Sequence, residues 1–139
     1  MYKHILLAAD GSENSLRAAD EAIKIASLVE DSQIEIIYII DFDDIKADVL
    51  HSGSKVDLDH TRRKHLIPFE EKMKAHGVNY KTTVFNGYPG QKIVEYANDQ
   101  AVDMLVIGSR GLNTFQEMFV GSVSHKVFKR ADSPVLIVK

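Results

Sequence analysis

No cysteine occurs among the 139 residues, which excludes a disulfide framework, a thiolate metal site and a cysteine nucleophile. Positive charge is not in surplus either. Seventeen Lys and Arg against 20 Asp and Glu give a formal net charge of −3, so no general basic field is available to neutralise nucleic-acid phosphates. No apolar run approaches the roughly 20 residues that cross a bilayer. The opening Met1-Tyr2-Lys3-His4, followed directly by a short apolar run and Asp10, has neither the h-region nor the cleavage pattern of a signal peptide. Nucleic acid and membrane are therefore not expected partners, and a cytoplasmic location is expected. A Walker G-x-x-x-x-G-K-[ST] is missing too, so no lysine is built into a phosphate cradle, and no strand-end carboxylate pair offers itself to a second metal. The histidines lack metal spacing: His60 and His65 are five apart, without the i, i+4 pairing and glutamate of a zinc helix.

What is present is the composition of one globular domain, 45% apolar and 27% charged, spanning residues 1–139. Ile5 to Ala9 is a continuous apolar run ending at Asp10-Gly11-Ser12, which predicts a buried strand and a tight turn. Ser12 is a plausible N-cap with Glu13 in the first turn, and Leu16, Ala19, Ile23 and Ala26 follow at helical spacing to about Val29. Gln33 to Ile40, rich in isoleucine, suits a strand buried on both faces. Asp41 to Lys55 breaks the pattern and predicts a long, mobile, acidic surface loop; the glycine and glutamate of a calcium loop are absent from it. Val56 to His76 has helical composition, with Leu66, Phe69 and Met73 on one face, a kink or interruption expected at Pro68, and a stop at Gly77. Tyr80 to Phe85 predicts a third strand, Asn86 to Gly90 its turn, and Ile93, Val94 and Ala97 a short helix. Met104 to Ile107, Ser122 to about Arg130, and Val135 to Val138 supply a fourth strand, a last helix and a fifth strand. Strict alternation with short connections predicts an α/β fold: a single doubly wound, Rossmann-like domain with a five-stranded parallel sheet, order 3-2-1-4-5, and helices on both faces.

In such a sheet a ligand sits beyond the carboxyl ends of the strands where their order reverses, between the first and fourth. Ala8, Ala9 and Asp10 occupy one of those ends, Ile107 and Gly108 the other. Tyr38, Ile39 and Ile40 lie at the end of the neighbouring second strand. Between the fourth strand and the last helix runs Gly108-Ser-Arg-Gly111, then nine residues, then Gly121-Ser122-Val123-Ser124. Glycines allow left-handed backbone angles and close approach to a bulky group, and the N–H groups opening a helix attract anions. The hydroxyls of Ser122 and Ser124 can donate to phosphate oxygens or cap the helix. Asp10 reads either as a ligand for a ribose hydroxyl or Mg²⁺, or as a turn and capping residue.

The spacing G-x2-G-x9-G-[ST] at Gly108, Gly111, Gly121 and Ser122 resembles the ATP-binding signature of the universal stress protein family. Asp-Gly-Ser after the first strand, Ala-Val-Asp before the fourth and Ser-Pro-Val-Leu-Ile-Val-Lys at the end fit the same resemblance, which covers essentially the whole chain. It implies an adenine nucleotide alpha hydrolase-like fold and ATP, with or without Mg²⁺, as the bound cofactor. Adenine would be held by backbone around Ile39, ribose near Asp10 and Gly108, and phosphates on Arg110, Gly111, Gly121, Ser122 and Ser124. Ala8 departs from the proline of many relatives. The resemblance also implies a homodimer through the edge strand Val135 to Val138, an apolar edge that pairing would cover.

The function expected is that of an ATP-binding stress-response regulatory protein with little or no hydrolysis, and no catalytic residue is assigned. Gln116 and Glu117 are expected to face solvent, and His125, the best-placed general base, reads more simply as a surface helix residue. Two alternatives remain open, a slow Mg-dependent ATP hydrolase using Asp10 and a nucleotide-free dimeric scaffold. A response-regulator receiver shares the alternating plan, but the third strand ends in Asn86-Gly87 where a phosphoacceptor aspartate would be needed.

Overall fold

Strand β1, His4–Ala9, is the centre of the sheet. It pairs in parallel with β2, Gln33–Asp41, on one side and with β4, Met104–Gly108, on the other. Outside these lie β3, Asn79–Gly87, and β5, Val135–Val138, giving the order β3-β2-β1-β4-β5. The computed structural model describes residues 1–43, 45–46, 55–110 and 122–139. Most of the acidic segment 41–55 and the loop residues from Gly111 to Gly121 lie outside the described residues. Phe42, Asp43, Ile45 and Lys46, all within the stretch expected to be loop, have helical backbone.

The alternation of side chains along β1 explains the two-layer covering. Ile5, Leu7 and Ala9 point to one face with Ile34, Ile36, Tyr38 and Val106, and helices α1, Glu13–Leu28, and α2, Lys55–His76, pack there. Leu6 and Ala8 point to the other with Ile37, Leu105 and Ile107, under α3, Pro89–Asp99, and α4, Ser122–Arg130. Strands buried on both sides carry unbroken apolar runs for this reason. Helix α1 presents Ala18, Ala19, Ala22 and Ala26 to the sheet, and these short side chains let its axis lie close to β1 and β4. Ser12 caps it as expected, accepting from the Ser15 N–H at 3.1 Å.

Helix α2 runs through Pro68 as one 22-residue element, so the proline does not interrupt it. Proline removes one N–H from the ladder. Phe69 and Met73 on the next turns are wholly buried and Leu66 nearly so, each such side chain contributing about 1.5–3 kcal/mol through burial. That anchoring outweighs a single lost hydrogen bond. Gly77 ends the helix with φ +65°. Asn86 and Gly87 extend β3 instead of forming its turn, and Pro89 opens α3.

One ionisable side chain lies in the apolar interior. Glu35 on β2 has no solvent exposure. Its carboxylate accepts hydrogen bonds from Thr83 Oγ1 at 2.6 Å and Tyr96 OH at 2.5 Å, and meets His4 Nε2 at 2.7 Å. Lys81 Nζ stands 3.8 Å away. Burial alone would push this carboxyl up, but the bonds from Thr83, Tyr96 and His4 and the lysine charge outweigh it and hold it below the ordinary carboxylate range. Tyr96, desolvated and bonded to that carboxylate, is pushed up to about 12. β1, β2, β3 and α3 are thereby tied together near the amino ends of the strands.

Candidate functional site

At the carboxyl ends of β1 and β4 the strand order reverses. The candidate residues Ala8 and Ala9 end β1, with Asp10 following, and Ile107 and Gly108 end β4; the two strands pair as far as Leu7 and Val106. Ile39 belongs to β2, which pairs with β1 as far as Ala9 and Tyr38. Ala8 and Ile107 are buried, and Ile39 packs half-buried on the same face. Val123, in the first turn of α4, joins this cluster, and Ser122 is the helix's first residue. Gly111 and Gly121 lie outside the described residues.

Asp10 begins a tight turn. Its Oδ1 accepts from the Ser12 N–H at 2.9 Å, as an aspartate at such a turn commonly does. Gly11 follows with φ +83°, and Ser12 then starts α1. Of the two local roles foreseen for Asp10 the turn is the one seen, and it uses one carboxylate oxygen; the cap of α1 is Ser12. A Cβ on Gly11 would stand 2.4 Å from Cδ2 of His65, so the imidazole of α2 lies directly behind the turn.

Gly108 works differently from what its position in the motif suggests. Among the described glycines the left-handed ones are Gly11 and Gly77; Gly108 is the last residue of a regular strand. A Cβ there would lie 2.8 Å from the backbone carbon of Asn14 and 2.9 Å from the Ser15 nitrogen. Its missing side chain makes room for the first turn of α1. Asn14 also donates to Ser109 Oγ at 3.0 Å, and Ser12 Oγ reaches the Arg110 carbonyl at 3.5 Å. Two segments about a hundred residues apart in sequence are locked together around the crevice.

Ser124 neither caps its helix nor holds its hydroxyl free. Its buried Oγ donates to the Gly108 carbonyl at 2.6 Å, drawing the start of α4 onto the end of β4. His125 is exposed on α4, as expected. At the outer rim, Phe42 and Tyr88 meet edge to face, ring centroids 5.4 Å apart, beyond the ends of β2 and β3. A groove between the last turns of α1 and α2 is lined by Ile23, Lys24, Leu28 and His76 among others.

Sequence reasoning placed Tyr38 at the end of β2 but missed His65 and the bond between the two. Tyr38 OH and His65 Nδ1 are 2.8 Å apart. No local pattern marks either residue, since their meeting depends on how α2 crosses the sheet. Burial holds the His65 imidazole below its ordinary value, against the pull of Asp10 and with the help of Lys64.

A five-stranded parallel sheet of this order, with small residues at the reversal and a helix starting on either side of it, defines a doubly wound α/β domain. The chain belongs to the universal stress protein family, whose profile matches residues 1–139. It is 32% identical over 157 residues to universal stress protein YxiE of Bacillus subtilis, covering 100% of both chains. The solved structure of MJ0577, a universal stress protein of Methanocaldococcus jannaschii, superposes with a TM-score of 0.87 at 29% identity, covering 100% of this chain and 96% of that one. A solved universal stress protein in complex with cAMP is similar at 28% identity and a TM-score of 0.70, covering 99% and 96%. Among the described residues no helix is long and apolar enough to cross a membrane.

Proposed function

We propose that this chain binds an adenine nucleotide across the carboxyl ends of β1 and β4 and serves as an ATP-binding regulatory protein of the stress response, with little or no hydrolysis. The observation that carries the proposal is the adjacency of β1 and β4 at the reversal of strand order, with Ala9-Asp10 leaving one and Ile107-Gly108 ending the other. The cAMP complex of a relative at 28% identity supports it. In this pose adenine lies against Ala8 and backbone near Ile39. Asp10 offers its remaining oxygen to a ribose hydroxyl beside Gly108. The phosphates take the Arg110 charge and the N–H groups of Gly111, Gly121, Ser122, Val123 and Ser124, where the helix dipole favours negative charge. Ser124 contributes through its backbone, its hydroxyl being spent on Gly108. Mg²⁺ would enter with the polyphosphate.

Calorimetry with ATP, ADP, AMP and cAMP, alongside mass spectrometry of nucleotide carried through purification, tests the assignment. Binding of ATP, and unchanged labelled ATP after hours of incubation, is the expected result. No heat with any nucleotide overturns the proposal. Turnover that Gly121→Val abolishes would favour the slow hydrolase. The apolar edge strand Val135 to Val138 further supports a homodimer, so light scattering at micromolar concentration should give twice the 15.6 kDa chain mass.

A further inference from the structure

We propose that His65 is a positioning residue for the nucleotide site, setting the Asp10–Gly11 turn from behind and tying it, through Tyr38, to the end of β2. The inference rests on the nucleotide reading of the crevice and adds to it a residue from α2.

Three contacts make the case. The imidazole lies so close behind the turn that a Cβ on Gly11 would fall 2.4 Å from Cδ2, 2.6 Å from Cγ and 2.8 Å from Nε2. The same ring is fixed at Nδ1 by the Tyr38 hydroxyl, 2.8 Å away, with the two rings tilted at 55°. Tyr38 is itself buried and stands opposite Ala9 in the β1–β2 register, one residue before Asp10. The imidazole is therefore held on a rigid strand at one edge and pressed against the turn at the other. Gly11 at φ +83° and the Asp10 carboxylate, whose Oδ1 is fixed by Ser12 N–H, have little freedom while it stays there. Burial keeps the ring neutral at neutral pH, so it does not compete as a cation for the Asp10 oxygen that a ribose hydroxyl needs. A ligand group held to within a fraction of an ångström by packing of this kind is what orientation-dependent recognition requires.

A merely structural histidine would cost stability when replaced and leave ligand discrimination alone. A positioning residue changes the part of the affinity that passes through Asp10. The experiment measures dissociation constants for ATP and for 2′,3′-dideoxy-ATP in the wild type, His65→Phe, His65→Gln and Tyr38→Phe, with thermal unfolding to confirm that each is folded. Wild type should prefer ATP by about tenfold, the size of one hydrogen bond to a charged group. His65→Phe should lose most of that preference while binding the dideoxy nucleotide almost unchanged. Tyr38→Phe should lose part of it, and His65→Gln, which keeps a polar partner for Tyr38, should retain more than the phenylalanine variant. Variants that discriminate as the wild type does overturn the inference and leave nucleotide binding standing, and so does a wild type that binds both nucleotides equally. A wild type that binds neither overturns the nucleotide reading and this inference with it. Should His65→Phe fail to fold, Tyr38→Phe decides alone.

Discussion

The hydroxyl of Ser124 donates to the carbonyl of Gly108 across 2.6 Å, in a position with almost no solvent exposure. One bond joins the last residue of β4 to the first turn of α4. It fixes where the amide hydrogens at that helix start must point. Ser124→Ala should lower stability by about 1 kcal/mol, the usual net worth of such a bond, by chemical denaturation. Its nucleotide affinity should fall by no more than a few-fold. A variant of unchanged stability that loses binding outright would mean that the hydroxyl reaches the ligand.

Gly108 and Gly87 each end a strand of the sheet, β4 and β3, but face different surroundings. A Cβ on Gly108 meets backbone of α1 at 2.8 Å, whereas one on Gly87 meets only the Lys92 side chain, at 3.6 Å. Gly108→Ala is expected to cost about 1–3 kcal/mol, as overpacking does, because a helix start cannot step aside as a side chain can. Gly87→Ala should fall within about 0.5 kcal/mol of wild type. Equal denaturation midpoints for the two variants would contradict the contact with Asn14.

Gly11 carries two independent penalties for any side chain, a left-handed φ of +83° and the His65 ring. Gly11→Ala should therefore be more destabilising in the wild type than in a His65→Ala background, where only the backbone strain of about 1 kcal/mol remains. The coupling measured by the double-mutant cycle should exceed about 0.5 kcal/mol. Additive effects would show that ring and turn do not press on one another.

Glu35 makes stability depend on acid. A carboxyl held below its unfolded value contributes stability that is present in full above that value and is lost as pH falls through the folded one. The hydrogen bonds from Thr83, Tyr96 and His4 place Glu35 in this class despite its burial. Glu35→Gln should be less stable than wild type at pH 7 by about 1–3 kcal/mol, the worth of hydrogen bonds to a charged group. The gap should close as pH falls below the ordinary carboxylate value of 4.5. Urea denaturation of both proteins from pH 7 to pH 3 measures it, and a gap that widens toward acid would reverse the sign assigned here.

Much of the fold was legible because its signals are local. The apolar runs Ile5 to Ala9 and Met104 to Ile107 mark strands covered on both faces, and Ser12 and Gly77 mark helix ends by chemistry that acts within a turn. The strand order followed from alternation and handedness. The errors were equally physical. Of the kink or interruption expected at Pro68, the interruption does not occur, because the buried Phe69 and Met73 hold the helix through it. Asn86-Gly87 has the composition of a turn, yet pairing with Ile40 and Asp41 keeps it in β3.

Composition, the order of the elements and the placing of β1 beside β4 were determined by the sequence alone, since periodicity and chain connectivity leave few ways to wind such a chain. The tertiary structure alone decided what the crevice residues touch. Gly108 is small for the sake of Asn14, Ser124 spends its hydroxyl on a carbonyl, and His65 stands behind Gly11. These partners lie 16 to 94 residues apart in sequence, and a contact over that separation is set by how helices pack on the sheet, which no local pattern encodes.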